Sequence, residues 1–278
     1  MAIQKITVEI MGGLGNQLFQ IFTLISYAIS NKRIFYFENK TISFGTRKTY
    51  YWDNFLFKLK SFKKNYNEQI FVYKEPFHHY NDIPIMDAIM ENIKLHGYFQ
   101  SYKYFDCNIS KIIKMIDFEG TQKKIKYKLD NQELDNYVSL HFRVGDYVNL
   151  QQYHPLMSVE YYRKALEQLK FDTNNEEWNI LYFCEENDIS YVEDKIDHLK
   201  RSFPKMRFSK IDSKFDDWEQ MVCMTLCKHN IIANSTFSWW GAYLNNKEEK
   251  HVYYPSEWFG PQVNKRVDDL FPSDWTKI

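Results

Sequence analysis

WNILYFCEENDISYVEDKIDHLKRSFPKMRFSKI, residues 178–211, is the stretch that decides the fold. Its first part, WNILYFC, is a short apolar run rich in aromatic and branched residues and reads as a strand. The segment DISYVEDKIDHLKRSF then places Ile189, Val192, Ile196, Leu199 and Phe203 at steps of three and four, one apolar face of a helix. MRFSKI returns to a strand pattern. A strand, a helix and a strand in immediate succession are the repeating unit of a parallel sheet.

Working outward, the rhythm continues on both sides. Upstream, YVSLHF reads as a strand and SVEYYRKALEQL as a helix, with Ser158 at its start and Glu160 in its first turn. Downstream, DDWEQMVCMTLCKH predicts a helix presenting Trp218, Met221, Val222, Thr225 and Leu226 on one face. NIIAN reads as a strand, FSWWGAYL as a short helix and HVYYP as a last strand. At the N-terminus, KITVEIM alternates Ile6, Val8 and Ile10 with polar positions, then runs through GGLGNQLFQ into an apolar helix from about Gln17 to Ser30. RIFYFE follows as a second strand. Residues 40–136 are rich in Lys, Asn, Phe and Tyr, and mixed structure with insertions is expected there. EPFHHYNDIP reads as a loop and IMDAIMENIKL as a helix or a strand. The pattern predicts an α/β protein with helices on both faces of parallel sheets. Ligands of such sheets bind outside the carboxyl ends of the strands, so the residues following each strand carry the functional reading.

The 278-residue chain holds 36 Lys plus Arg against 36 Asp plus Glu. That balance excludes bulk attraction to nucleic acid or an anionic membrane, so an anionic ligand has to be met by local donors. Cys107, Cys184, Cys223 and Cys227 form no C-x-x-C pair, and Cys223 and Cys227 are spaced for one helix face. Free thiols in a reducing compartment are expected rather than a disulfide framework or a zinc site. The first residues read as a strand rather than a signal peptide, and no long apolar run predicts a membrane span. The expectation is a cytoplasmic protein.

Four strand ends carry the candidate residues. After the first strand, Gly12, Gly13, Leu14, Gly15, Asn16 and Gln17 form a turn that lets backbone approach a ligand at a helix start. Read as a dinucleotide fingerprint, the run has Leu18 where the third glycine belongs, with Glu38 at the distance of a ribose-binding acid. After YVSLHF come His141, Arg143, Gly145, Asp146 and Tyr147. Arg143 is placed either to grip a phosphate or to pair with Asp146, and His141 either to bind or to sit in the core. After NIIAN comes NSTFSWWGAYL, residues 234–244. There Asn234, Ser235 and Thr236 form a polar lip at a helix start, and Phe237 can present a ring to a base or sugar. Trp239 and Trp240 are expected to pack the helix on the sheet. Glu185, Glu186 and Asp188 follow WNILYFC and suit either a ribose, a metal or a solvated helix start. No D-x-D triplet occurs, which argues against a metal-bridged diphosphate.

Taken in order, GGLGNQLFQ, HFRVGDY and CKHNIIANSTFSWWGAYLN with VYYPSEWF resemble glycosyltransferase family 11, the α-1,2-fucosyltransferases. The resemblance covers the N-terminal strand, turn and helix and nearly all of residues 138–260. It implies a GT-B-like fold of two Rossmann-type halves with the donor site in the cleft between them. Residues 1–137 would be the acceptor-side domain and 138–278 the donor domain. It implies an inverting, metal-independent transfer of L-fucose from GDP-β-L-fucose to a galactose-containing glycan, most often at the 2-hydroxyl. Arg143 would hold the donor diphosphate beside His141. Asn234, Ser235, Thr236 and Phe237 would line the nucleotide, and Gly13, Gly15, Asn16 and Gln17 would close over phosphate and fucose. The family commonly shows two adjacent arginines, whereas here Val144 takes the second place. Strand alternation points 143 and 144 to opposite sides, so the phosphate grip need not be lost.

In that chemistry negative charge develops on GDP and is met by Arg143, the Ser235 and Thr236 hydroxyls and helix-start amides. Asp146 is the candidate base for the acceptor hydroxyl and His154 the second. Rival readings are another donor sugar or linkage, a dinucleotide-dependent oxidoreductase on the first glycine loop, and a carbohydrate-binding module.

Overall fold

The computed structural model describes residues 4–39, 51–65, 69–86 and 92–278. It divides into two compact units, Met1–Thr121 with Lys265–Pro272, and Gln122–Asn264 with Ser273–Ile278.

In the first unit, β1 (Lys5–Val8) buries Ile6 and Val8 and leads into α1 (Leu14–Ser30). The helix starts at Leu14, ahead of the expected Gln17, because Gly13 serves as an extended N-cap and Leu14 already packs into the core. Gly12 turns the chain at φ +75, a conformation that favours glycine, and a Cβ there would meet Asn16 Nδ2 at 2.7 Å. The expected strand RIFYFE is broken in two. β2 (Ile34–Phe35) pairs with β1, while β3 (Phe37–Glu38) pairs with β4 (Lys63–Lys64). The break falls at Tyr36, which is buried and whose N–H donates to Ile6 O at 2.9 Å. β5 (Ile70–Lys74) and β6 (Asn92–His96) complete a parallel sheet ordered β2-β1-β6-β5. β6 settles IMDAIMENIKL as a strand over its last part, while residues 87–91 lie outside the described residues. EPFHHYNDIP is irregular, as expected. Helices α2 (Ile109–Met115) and α3 (Phe118–Lys128) follow.

The second unit is built as the alternation predicts: β7 (Tyr137–His141), α4 (Val159–Thr173), β8 (Asn179–Phe183), α5 (Ile189–Ser202), β9 (Arg207–Lys210), α6 (Asp217–Leu226), β10 (His229–Ile231), α7 (Thr236–Tyr243) and β11 (Val252–Tyr254), with a short β12 (Thr276–Lys277) that the pattern did not announce. All six strands are parallel, in the order β12-β11-β10-β7-β8-β9. Ser158 caps α4 by accepting from Tyr161 N at 3.2 Å, as its position implied. Val138, Leu140, Phe142 and Val144 enter one core with Tyr162, Leu166 and Leu169 of α4 and Val192, Ile196 and Leu199 of α5. The apolar spacing of residues 189–203 is thus the stripe that buries α5 on the sheet.

α6 departs from its expected single face. Trp218 and Leu226 are only half-buried, whereas Cys223, Met224 and Glu219 are buried with Met221, Val222 and Thr225. The reason is α7, which packs on α6 so closely that a Cβ on Gly241 would meet Met224 Cβ at 2.8 Å. The cysteines are free thiols, with Cys184, Cys223 and Cys227 buried. Among the described residues no helix is long and apolar enough to cross a membrane.

Candidate active site

In the second sheet, chain order runs from β7 outward to β9, then returns to place β10 on the other side of β7. The carboxyl ends of β7 and β10 therefore flank the switch point where open α/β sheets bind ligands. Both motifs singled out in this half of the sequence leave the sheet there.

Beyond β7 the two-residue alternation persists. Phe142 and Val144 go into the core, 2% and 4% exposed, so His141 and Arg143 share the other face. An arginine at 144 would have to bury its charge among Tyr162 and Leu166, so in this chain the second position of the pair belongs to packing. The Arg143 guanidinium is held by two carboxylates: Nη1 donates to Glu185 Oε1 at 2.6 Å and Nη2 to Asp146 Oδ1. It also lies 4.8 Å from the Tyr147 ring centroid. Its side chain is 12% exposed, against 51% for Asp146 and 56% for Glu185, so a little-exposed cation is capped by two solvated acids. Gly145 turns the chain at φ +42, and its N–H donates to Asp188 Oδ2 at 2.9 Å.

The structure separates the three acids after β8. Glu185 takes Arg143, Glu186 takes Lys210 Nζ at 2.5 Å, and Asp188 takes the Gly145 amide. They do not converge as a ribose or metal site would require. Asp146, the sequence's candidate base, is the ion-pair partner of Arg143. His154 stacks on Tyr147, with centroids 4.7 Å apart, and so buttresses the same turn.

His141 is buried, and among the described residues its Nδ1 has no hydrogen-bond partner. Its ring lies 5.4 Å from Phe237. Burial first, then the Arg143 charge, pushes its pKa down to about 3, so the imidazole is neutral at pH 7. His229 is likewise lowered to about 3, by burial and then by His251 and Lys228. An unfolded histidine titrates near 6.5. Between about 6.5 and 3 the unfolded chain therefore binds protons that the folded chain excludes, so stability is full above that window and falls as pH drops through it. We expect Tm to fall steadily from pH 7 to pH 4.5, and His141→Gln to flatten that slope. A slope unchanged in the variant would mean that His141 is protonated in the folded protein.

At β10 the chain leaves the sheet after Ile231, earlier than NIIAN suggested. Asn234 donates from Nδ2 to Pro155 O at 2.9 Å and Trp258 O at 3.3 Å. The Asn234 side chain thus clamps loops with its nitrogen, and its Oδ1 is buried without a partner among the described residues. Ser235 is the N-cap of α7 and accepts from Phe237 N at 3.3 Å. Thr236 opens the helix, half-buried like Phe237. Tyr147 OH donates to Asn234 O at 3.3 Å, tying the two strand-end loops together. Trp239 and Trp240 are fully buried, as expected for packing residues.

In the first unit the glycine turn is fastened to its own helix. The buried Gln20 accepts from Met11 N at 2.8 Å, and Gln17 Nε2 donates to Gly12 O at 2.9 Å. Asn16 Oδ1 accepts from Gln100 Nε2 at 2.8 Å. Gly13 and Gly15 bracket the helix start, Gly15 buried and Gly13 half-buried. The dinucleotide pattern finds no support in its two outer positions. Leu18 is in the core, and Glu38 is bound to Lys94 Nζ at 2.5 Å. Gln100 was missed in the sequence because its partner is far away in the chain; its place just after a strand was the available signal.

Known proteins agree with this architecture. Over 140 residues the chain is 34% identical to the O-antigen biosynthesis glycosyltransferase WbnK of Escherichia coli, covering 48% of this chain and 42% of that protein. An alpha-1,2-colitosyltransferase of Escherichia coli is 28% identical over 70% of this chain and 65% of its own. A galactoside 2-alpha-L-fucosyltransferase of Caenorhabditis elegans is 27% identical over 65% of this chain and 51% of its own. The chain spans less than two thirds of the length of each of these relatives. A mutant of Arabidopsis thaliana FUT1 in complex with GDP superposes with a TM-score of 0.53 over 92% of this chain and 72% of its own, at 11% identity, and the fold is GT-B-like. The family model for Glycosyl transferase family 11 matches residues 1–278, the whole length, and the chain belongs to that family.

Proposed function

We propose that the chain transfers L-fucose from GDP-β-L-fucose to a glycan hydroxyl, the 2-hydroxyl of a galactose, with inversion and without a metal. The observation that carries this reading is the face shared by His141 and Arg143 at the switch point of the second sheet. It offers a little-exposed guanidinium, a buried neutral imidazole whose Nδ1 has no partner among the described residues, and the capped start of α7. In this reading the donor diphosphate displaces Glu185 and Asp146 from Arg143, exchanging two solvated carboxylates for a bidentate phosphate contact. As the fucose–phosphate bond breaks, its electron pair goes to GDP. The growing charge is met by Arg143 and the helix-start donors around Ser235 and Thr236. Phe237, beside His141, offers a ring to the nucleotide. Gly13, Gly15, Asn16 and Gln17, around the start of α1, are assigned to binding a sugar or phosphate group. Asp146 is assigned to holding Arg143 ready rather than to taking the acceptor's proton.

Calorimetry in excess EDTA with GDP, GDP-fucose, GDP-mannose, UDP-galactose and NAD tests this. GDP and GDP-fucose are expected to bind and the others to bind at least tenfold more weakly. Binding of NAD alone would overturn the proposal. A second reading, transfer of colitose, is favoured by the relative of that activity. Comparing turnover of the two sugar nucleotides on one galactoside separates them.

A further inference from the structure

The first turn of α4 touches both strands of the candidate site. Ser158 fixes that turn by accepting from Tyr161 N. Tyr161 and Tyr162 follow, both buried. Consecutive helix positions diverge by about 100°, so the two phenols reach different strands. Tyr162 OH donates to His141 O, the last carbonyl of β7, at 2.9 Å. Tyr161 OH donates to Ile232 O, just past the end of β10, at 2.5 Å. β7 and β10 are neighbours in the sheet, and their ladder ends at Leu140 and Ile231, before either carbonyl. Arg143 follows the first of these carbonyls closely and Ser235 the second. Tyr253 O lies 3.3 Å from Tyr161 OH but already accepts from Ile232 N at 2.9 Å. Burial above all holds both phenols well above their ordinary range, so each hydroxyl keeps the proton it donates. The rings themselves are wedged together. Tyr162 lies 4.3 Å from Phe142 and 4.9 Å from Tyr161, centroid to centroid.

We propose that Tyr161 and Tyr162 are positioning residues for the donor site: their hydroxyls fix the two points where the Arg143 and Ser235 segments leave the sheet. This rests on the sugar-transfer reading above and lies wholly within the second unit. A diphosphate held at once by a guanidinium and a helix start needs those donors at one separation. The sheet ladder ends too early to set it. Beyond the ladder one rigid helical turn carries both hydroxyls, so the two exits are referred to a single frame. Tyr147 OH on Asn234 O, at 3.3 Å, is a second and longer tie between the same segments. With phenylalanine at 161 or 162 the ring still fills the core, but a buried carbonyl loses its donor. The strand exit then shifts to find another, and the spacing shifts with it.

Tyr161→Phe and Tyr162→Phe test this, with Tyr253→Phe as the matched control. Tyr253 is equally buried, and its hydroxyl donates to Asp172 Oδ2 at 2.8 Å, at the other end of α4. GDP affinity by calorimetry, and kcat with KM for donor and acceptor, are measured well below each Tm. Each exit variant is expected to lose about tenfold in GDP affinity and about 10- to 100-fold in kcat, with acceptor KM within about twofold. Tyr253→Phe is expected to lower Tm as much, yet to keep GDP affinity and kcat within about twofold. If wild type binds GDP and both exit variants keep affinity and kcat within about twofold while Tm falls, the hydroxyls are structural only. The positioning assignment is then wrong and the donor reading stands. Equal losses in all three variants would also overturn it, since any buried hydroxyl would then serve. If one exit variant does not fold, the other decides alone. If wild type binds no GDP, the donor reading itself falls and the assignment with it.

Discussion

Arg143→Ala is expected to cut sugar transfer by roughly 10³-fold or more while the protein keeps its fold. The two halves of that expectation rest on different magnitudes. Structurally, the side chain's partners are Asp146 and Glu185, both about half exposed. Ion pairs with solvated carboxylates contribute at most about 1 kcal/mol, and both acids regain water when the arginine is gone. The core beneath is carried by Phe142 and Val144, which the change does not touch. Chemically, an arginine whose fork meets charge developing on a diphosphate is among the most valuable groups a transferase owns. Arg143→Lys keeps the charge but loses the planar fork, so an intermediate loss is expected. Turnover of the alanine variant at the wild-type rate, with Tm unchanged, would mean that Arg143 is a structural ion pair and that the donor lies elsewhere. Double replacement of Glu185 and Asp146 by glutamines sharpens the test. If these acids only park the guanidinium, GDP affinity should rise when they no longer compete.

The periodicities of the second half of the chain were enough to lay out its sheet, because each rests on local burial. Ile189, Val192, Ile196 and Leu199 point one way on a helix wherever the sheet happens to be. Val138, Leu140, Phe142 and Val144 continue one alternation, which is why the strand-end rule put His141 and Arg143 together on the open side. What could not be read depends on partners distant in sequence. Nothing local says that Phe37 and Glu38 change partner from β1 to β4, since the new partner lies far along the chain. The buried second side of α6 exists only because Gly241 lets α7 approach Met224. The same holds at the candidate site. Arg143 stood out by position, but its bond to Glu185 and the Asn234 clamp on Pro155 and Trp258 are closed by the fold rather than by spacing. The middle segment resisted reading because its strands are short and its turns are fixed by single carboxylates such as Glu75.

Trp239→Ala should destabilise the protein by about 3–5 kcal/mol, a loss on the order of 10 °C in Tm. Trp239 is fully buried. It stacks on Tyr243 with centroids 4.7 Å apart, meets Trp240 edge-on at 5.1 Å and touches Trp275 at 5.6 Å. Its removal leaves a cavity that these rings cannot close without giving up their own contacts. A helix as short as α7 has little stability of its own in water, so its position depends on this packing. The aromatic block therefore holds the polar lip, Asn234 to Thr236, in place. Trp239→Phe keeps a ring against Tyr243 and should cost clearly less. Thermal and urea unfolding of the two variants measure this directly. A Tm within about 2 °C of wild type for the alanine variant would show that α7 is held by something other than its tryptophans, and Asn234 with its two carbonyl partners would be the next group to remove.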